Sequence, residues 1–275
     1  MIRALMLAAL LPFPALSAER VVVLGGSVAE IVAALGRTGS LVARDSTSTF
    51  PPEVTALPDV GYVRALSAEG VLSVAPDLIL AEQGAGPREA VAVLQAAGVD
   101  YVTVPENHTP AGVLDKIRVV AAALDEEDAG EALAQRVAEG LASAEARAAS
   151  VPQRKRVLFI LSLTGGRVTA GAAETAAEGI LELAGAINAA EGFSGYKQMT
   201  DEAVLAAAPD AILMMDREGD RSVTDAQITA HPALSATPAV KTGDILRMDG
   251  LLMLGFGPRT PEAAAQLHAA LYGAR

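Results

Sequence analysis

The chain has no cysteine and no tryptophan, and among its 275 residues only four are Tyr, five Phe and three His. Without Cys no disulfide can staple the fold and no thiolate can hold zinc or an iron–sulfur cluster, so stability must come from an apolar core. The histidines, His108, His231 and His268, share no spacing suited to a zinc site, and the HExxH pattern is absent. Two Gly-rich stretches, "LGGSVAE" (24–30) and "LTGGRVTAG" (163–171), complete neither GxGxxG nor GxxxxGK[ST], and no GxSxG elbow occurs. Nucleotide binding and serine hydrolysis therefore lack an assembled motif. Basic residues are also scarce, 21 Lys and Arg against 33 Asp and Glu for a net charge of −12, which disfavours nucleic acid and anionic lipid as partners.

What is present begins with "MIRALMLAALLPFPALSAER": one basic residue, Arg3, an apolar run through Leu11, then small residues at Ala15, Ser17 and Ala18 before Glu19 and Arg20. This reads as a secretory signal peptide over residues 1–18, cut near Ala18 or at Ser17, and too short to anchor in a membrane. Pro12 and Pro14 argue against the alternative, a buried helix continuing past Leu11. Removal of the leader takes away Arg3 and no acid, so the net charge moves from −12 to −13. The 257 residues that remain suffice for one large or two smaller domains. An exported chain without Cys offers no cysteine for a lipid anchor at the cut, so the expectation is a soluble periplasmic protein.

Residues 21–24 read as a strand, 25–27 as a turn with Ser27 as helix N-cap, and "VAEIVAALG" as a helix of 3.6-residue period. Strands follow at 78–81 and 101–104. Residues 109–149, rich in Ala, Leu, Glu and Arg and free of Pro after Pro110, read as the longest helix, with a break near Asp125. After "VPQRKR" the alternation restarts with a strand at 157–161, a loop at 164–171 and a helix over 172–188. The expectation is an α/β protein with an N-terminal lobe at 19–108, a connecting helix at 109–150 and a C-terminal lobe at 151–275.

An internal repeat supports two lobes. "GYVRALSAEGVLSVAPDLIL" (61–80) and "GYKQMTDEAVLAAAPDAIL" (195–213) share Gly-Tyr, Ser or Thr two residues before Glu, Val-Leu, and Ala-Pro-Asp before a strand. Glu and Pro are seven apart in both, while Tyr and Glu are seven apart in the first and six in the second. Tyr62 and Tyr196 thus take matching places. Ser67 and Thr200 suit helix N-caps, which puts Glu69 and Glu202 in first turns, where the helix dipole favours a carboxylate.

Tyr62 stands two residues before Arg64, and in an extended segment both project to one side. Phenolate oxygen is a hard anionic ligand suited to ferric iron, tyrosine is a known haem ligand, and a neighbouring cation favours a phenol's charged form. Plain aromatic packing is the alternative use of such a Tyr. His108, in a loop before the long helix, could also face a cleft.

These segments, with "TAAEGILELAGAINAA" and "LGFGPRTPEAAAQLHAALY", resemble the periplasmic haem-binding proteins of bacterial haem (hemin) ABC importers, a branch of the binding proteins that also serve cobalamin and ferric siderophores. The resemblance runs from about Val21 to the C-terminus. It implies two Rossmann-like α/β lobes joined by a single long helix, with the ligand cleft between the lobes. It implies Tyr62 as the axial ligand of haem iron, Arg64 beside it, and an arginine facing it across the cleft, best offered by Arg217 and less well by Arg221. Arg167 stands where some relatives carry a second-lobe histidine, Tyr196 is the alternative second-lobe contact, and Lys197 is a further candidate for positive charge in the cleft. Glu69 and Glu202 would dock each lobe onto an inner-membrane ABC permease dimer. The implied function is capture and delivery of haem, as transported ligand, by a monomer that is not an enzyme, with an outer-membrane haem receptor system upstream. The same fold carrying a ferric siderophore or corrinoid is the alternative, and an exported hydrolase the weaker one.

Overall fold

The protein is described by a computed structural model covering residues 18–216 and 223–273. The expected leader, apart from Ala18, and the candidates Arg217 and Arg221 lie outside the described residues.

The first lobe runs β1 (Val21–Leu24), α1 (Gly26–Ala34), β2 (Leu41–Arg44), α2 (Ala68–Leu72), β3 (Leu78–Glu82), α3 (Arg88–Ala96), β4 (Asp100–Val104) and α4 (Pro110–Ala123). Its strands lie in the order β2-β1-β3-β4, all parallel. β1 is buried along its whole length, as a central parallel strand covered on both faces must be. The cap of α1 is Gly25, not Ser27: Gly25 has φ 131, a conformation L side chains rarely adopt, and the Gly25 and Gly26 amides donate to Asp45 Oδ1 and Thr47 Oγ1. Ser27 falls inside the first turn and its hydroxyl is used elsewhere.

The helical run expected over 109–150 is divided at the break expected near Asp125. Asp125 takes φ 56, the chain reverses, and α5 (Glu127–Ala149) packs back against α4. α4 covers the first sheet through α1, whereas α5 continues onto helices of the second lobe.

The second lobe runs β5 (Arg156–Thr164), β6 (Arg167–Gly171), α6 (Ala176–Leu183), β7 (Ile187–Asn188), β8 (Tyr196–Met199), α7 (Asp201–Ala207) and β9 (Ala211–Asp216), then α8 (Asp225–Ala230), α9 (Pro232–Ser235), α10 (Pro238–Thr242), β10 (Ile245–Asp249), α11 (Gly250–Leu254) and α12 (Thr260–Tyr272). The strand order is β10-β9-β5-β6-β8, with β7 beside β5; β6 and β8 are antiparallel additions. The expected loop at 164–171 is therefore a hairpin, because β5 runs on to Thr164 and only two glycines separate it from β6. The helix expected over 172–188 is shortened to α6, since Thr175 caps it by accepting from the Glu178 amide.

One apolar core passes through both lobes. It includes Val21 and Ile31, Val120 and Leu141 of the paired helices, and Phe159, Ile180, Leu213 and Leu267 of the second lobe. The stretch Gly255 to Arg259 wedges between the lobes: Phe256 is 1% exposed with φ 48, meets His108 edge-on at 5.2 Å, and is followed by Arg259, which stacks on Phe50 at 3.6 Å and pairs with Glu30.

Candidate ligand cleft

Ligands of open parallel sheets bind beyond the C-terminal ends of the strands, and in the first lobe that edge carries Gly25, Glu82, Glu106 and the segment between β2 and α2. Within that segment Val63 and Leu66 are buried in an apolar cluster with Leu24, Ile79 and Leu94. The Gly86 amide donates to Val63 O and the Leu66 amide to Gly86 O, so the segment is fastened from beneath. Residues 62–65 form a turn closed by the Ala65 amide on Tyr62 O at 2.7 Å, rather than the extended segment in which the two side chains would share a side. Burial of Val63 forces its two neighbours outward. Tyr62 is 43% exposed, and Arg64 Nη1 donates to its hydroxyl at 2.8 Å. The two side chains meet as expected, by a different backbone route.

Desolvation pulls the Arg64 guanidinium down, but the Tyr62 hydroxyl and the charges of Tyr62, Glu82 and Tyr196 hold it above its ordinary value. Arg64 thus lies within electrostatic reach of both lobes. Tyr196 opens β8 opposite Gly171, where a Cβ would come within 2.8 Å of the ring, and Phe159 meets it edge-on at 6.3 Å. The ring keeps 40% of its surface, yet its hydroxyl reaches the start of α6. Burial there raises the Tyr196 phenol, against the Ala177 amide, Arg64 and Thr175, which favour the charged form.

Strand alternation decides the rest of the second wall. Gly171 faces Tyr196 and Thr169 faces Gln198, so Tyr196, Gln198 and Thr169 share one face, and Arg167 joins them by donating to Gln198 Oε1 at 3.3 Å. Lys197 falls on the opposite face with Met199 and lies over Phe193 at 6.0 Å, so it leaves this wall. His108 is taken up by Glu106, 3.1 Å from its Nε2, and by Phe256. His231 caps α9 and His268 lies against Ala184 O. Among the described residues no cluster of His, Cys, Asp and Glu could hold a bare metal ion.

Ser67 accepts from the Gly70 amide and Thr200 from the Ala203 amide, so both predicted caps form. Glu69 and Glu202 are exposed in the first turns of α2 and α7. Two surface hollows, of about 600 Å³ beside Ala18, Arg37 and Glu126 and about 320 Å³ beside Lys155, Asp210 and Tyr272, open near the starts of β1 and β5. Neither includes Tyr62 or Tyr196. The acids at the first-lobe edge, Glu82 and Glu106, and the buried Lys116 escaped sequence reasoning, because the parallel pairing of β3 with β4 sets the two acids, 24 residues apart, at one edge and Lys116 reaches Glu106 from α4.

Two α/β lobes over a shared core, with a phenol–guanidinium pair on one lip and a phenol-bearing sheet face on the other, define a two-lobed ligand-binding protein. The chain belongs to the periplasmic binding protein family, whose model matches residues 21–251. It is the binding component of an ABC importer. The structure is similar to that of the periplasmic haem-binding protein BhuT in complex with two haems, at 45% identity and TM-score 0.86, covering 92% of this chain and 97% of that one. It is similar also to the periplasmic haem-binding protein RhuT from Roseiflexus sp. RS-1 in apo form, at 36% identity and TM-score 0.88, covering 92% and 98%. A vitamin B12-binding protein of Yersinia pestis is 34% identical over 116 residues, 42% of this chain and 41% of its own length.

Proposed function

We propose that the chain captures haem in the periplasm, in the cleft between its lobes, and delivers it to an inner-membrane ABC permease without catalysing a reaction. The observation that carries this reading is the Arg64 Nη1 to Tyr62 hydroxyl bond of 2.8 Å on an exposed turn at the strand ends. Phenolate oxygen is a hard ligand suited to ferric iron, and Arg64 can keep donating to that oxygen when it is bound. Arg64 and Arg167 place positive charge on the two walls for haem carboxylates, against a net charge of −12, and Tyr196 with Gln198 forms the flat second wall. We assign Arg217 the same role from sequence alone. We divide the chain into a lobe at 19–108, a connecting helical segment at 109–150 and a lobe at 151–275, with the cleft between the lobes.

Delivery is assigned to Glu69 and Glu202. Each is exposed in a capped first turn, one per lobe, as a two-fold partner with paired cationic sockets would require. Glu202 is held below the ordinary carboxylate value by its own amide and the Thr200 hydroxyl, so it is charged at neutral pH.

A corrinoid is the second reading, favoured by the partial likeness to a vitamin B12-binding protein. Parallel optical titrations of the purified protein with hemin and with cobalamin separate the two. The expected result is a saturable Soret change with hemin at one-to-one or two-to-one stoichiometry and no saturable change with cobalamin; the reverse overturns the haem reading.

A further inference from the structure

Lys116 breaks the pattern of its own helix. Val113, Ile117 and Val120 of α4 are buried at helical spacing, and Lys116 falls on the same stripe with no exposed surface, where the period calls for an aliphatic side chain. Its Nζ donates to Glu106 Oε2 at 2.7 Å, to Ser27 Oγ at 3.0 Å and to Gly255 O at 3.1 Å. Glu106 follows β4 and Ser27 lies in α1, both of the first lobe, whereas Gly255 ends α11 of the second. All three ammonium donors are thus used, and Glu106 is the counter-ion such a buried charge requires. Stability alone does not call for a buried ion pair, since well-packed apolar residues of similar volume often serve as well. What the ammonium adds is direction.

Each end of this junction is tied to one wall of the cleft. The Glu106 amide donates to Gln83 Oε1 at 3.2 Å, and Gln83 stands in the turn whose Gly86 is bonded to Val63 and Leu66 beneath Tyr62. On the other side Gly255 precedes Phe256, and a Cβ at Gly179 of α6 would come 2.8 Å from the Phe256 ring. At the start of the same helix Ala177 meets Gly171, on which the Tyr196 ring lies. Elsewhere along the seam the lobes meet through glycines: a Cβ at Gly26 would run into Leu251, and one at Gly257 would come 3.3 Å from Ser27. Such contacts are close but non-directional, and they fix no register by themselves. The Arg259–Glu30 pair also crosses the seam, but Arg259 keeps access to solvent. Lys116 has no water to exchange for Gly255 O, so any slip of that segment strands a buried charge.

We propose that Lys116 is a positioning residue for the ligand cleft: its buried ammonium fixes the register of the second lobe against the first and so sets the gap between the Tyr62 and Tyr196 walls. The inference takes the cleft from the reading above, but its first test needs no ligand.

The chain has no cysteine, so Gln95→Cys in α3 and Ala206→Cys in α7, both at exposed positions, give one spin label per lobe. Double electron–electron resonance on the ligand-free protein should return one narrow distance distribution when Lys116 is present. The distribution should broaden or shift in Lys116→Met, which keeps the length of the side chain and loses the ammonium. Lys116→Met with Glu106→Gln also removes the stranded carboxylate, so it supplies the measurement if the single variant does not fold, and it should broaden likewise. A broad distribution with Lys116 present, or a folded variant that keeps the narrow one, would overturn the proposal. The second outcome holds whatever the melting temperature, because a residue that only stabilises the fold lowers that temperature and leaves the distance alone. Hemin titration is the second readout: affinity should fall about tenfold in the folded variant, a loss typical of a partner that acts through others. Unchanged affinity in a variant whose distances broaden would contradict the positioning role. A protein that shows the narrow distribution, loses it in Lys116→Met and binds no hemin would overturn the haem reading alone.

Discussion

The two Gly-Tyr segments start in different structures and converge on the same capped helix start. In the first lobe Tyr62 sits in a turn anchored by Val63 and Leu66, with its hydroxyl on Arg64. In the second, Tyr196 starts strand β8, its ring lies against Gly171, and its hydroxyl reaches the first turn of α6. The capped helix starts that follow, with Glu69 and Glu202, are the same in both. A repeated sequence thus preserves what local hydrogen bonds dictate, while the fate of each phenol depends on what packs beneath it. One phenol is paired with a cation and open to a ligand; the other is paired with a helix end.

The largest expected effect breaks that asymmetry. Tyr62→Phe keeps the ring and removes the only oxygen proposed to reach iron, so hemin affinity measured by optical titration should fall by roughly a hundredfold, at or beyond the loss typical of an outer-shell partner. Arg64→Ala leaves the oxygen but removes its donor and charge, with an expected loss of about tenfold in the same titration. Tyr196→Phe should cost about threefold, the scale of one neutral hydrogen bond, because its hydroxyl already has partners in α6. A Tyr196→Phe loss that matched Tyr62→Phe would make the two lobes equal contributors. The smallest effect on binding is expected from the double reversal Glu69→Arg with Glu202→Arg, which should leave hemin affinity unchanged. Haem transfer into liposomes bearing the permease should fall with that variant, more at low salt than at high, because exposed charge pairs are screened.

Much of this was legible in the sequence where the determinants are local. The β1 strand, the Ser67 and Thr200 caps and the break at Asp125 depend on apolar runs, hydroxyls and turn residues within a few positions of each other. Ser27 misled because a Gly25 with positive φ started the helix two residues earlier. The 164–171 segment misled because a two-glycine turn between strands resembles a Gly-rich loop when the pairing partner, β8, lies some 30 residues away. The tyrosine–arginine pair was legible as a spacing, although Val63 burial and a turn bring it about rather than an extended strand. The Glu106–Lys116 pair and its neighbour Glu82 were not legible, since the parallel pairing of β3 with β4 and the packing of α4 bring them to one edge.

The central claim is that Tyr62, and not Tyr196, is the phenolate on ferric iron. Resonance Raman spectra of the hemin complexes of wild type, Tyr62→Phe and Tyr196→Phe test it most directly. Phenolate–iron modes should be present in wild type and in Tyr196→Phe and absent from Tyr62→Phe. Modes that persist in Tyr62→Phe, or that wild type never shows, would contradict the account.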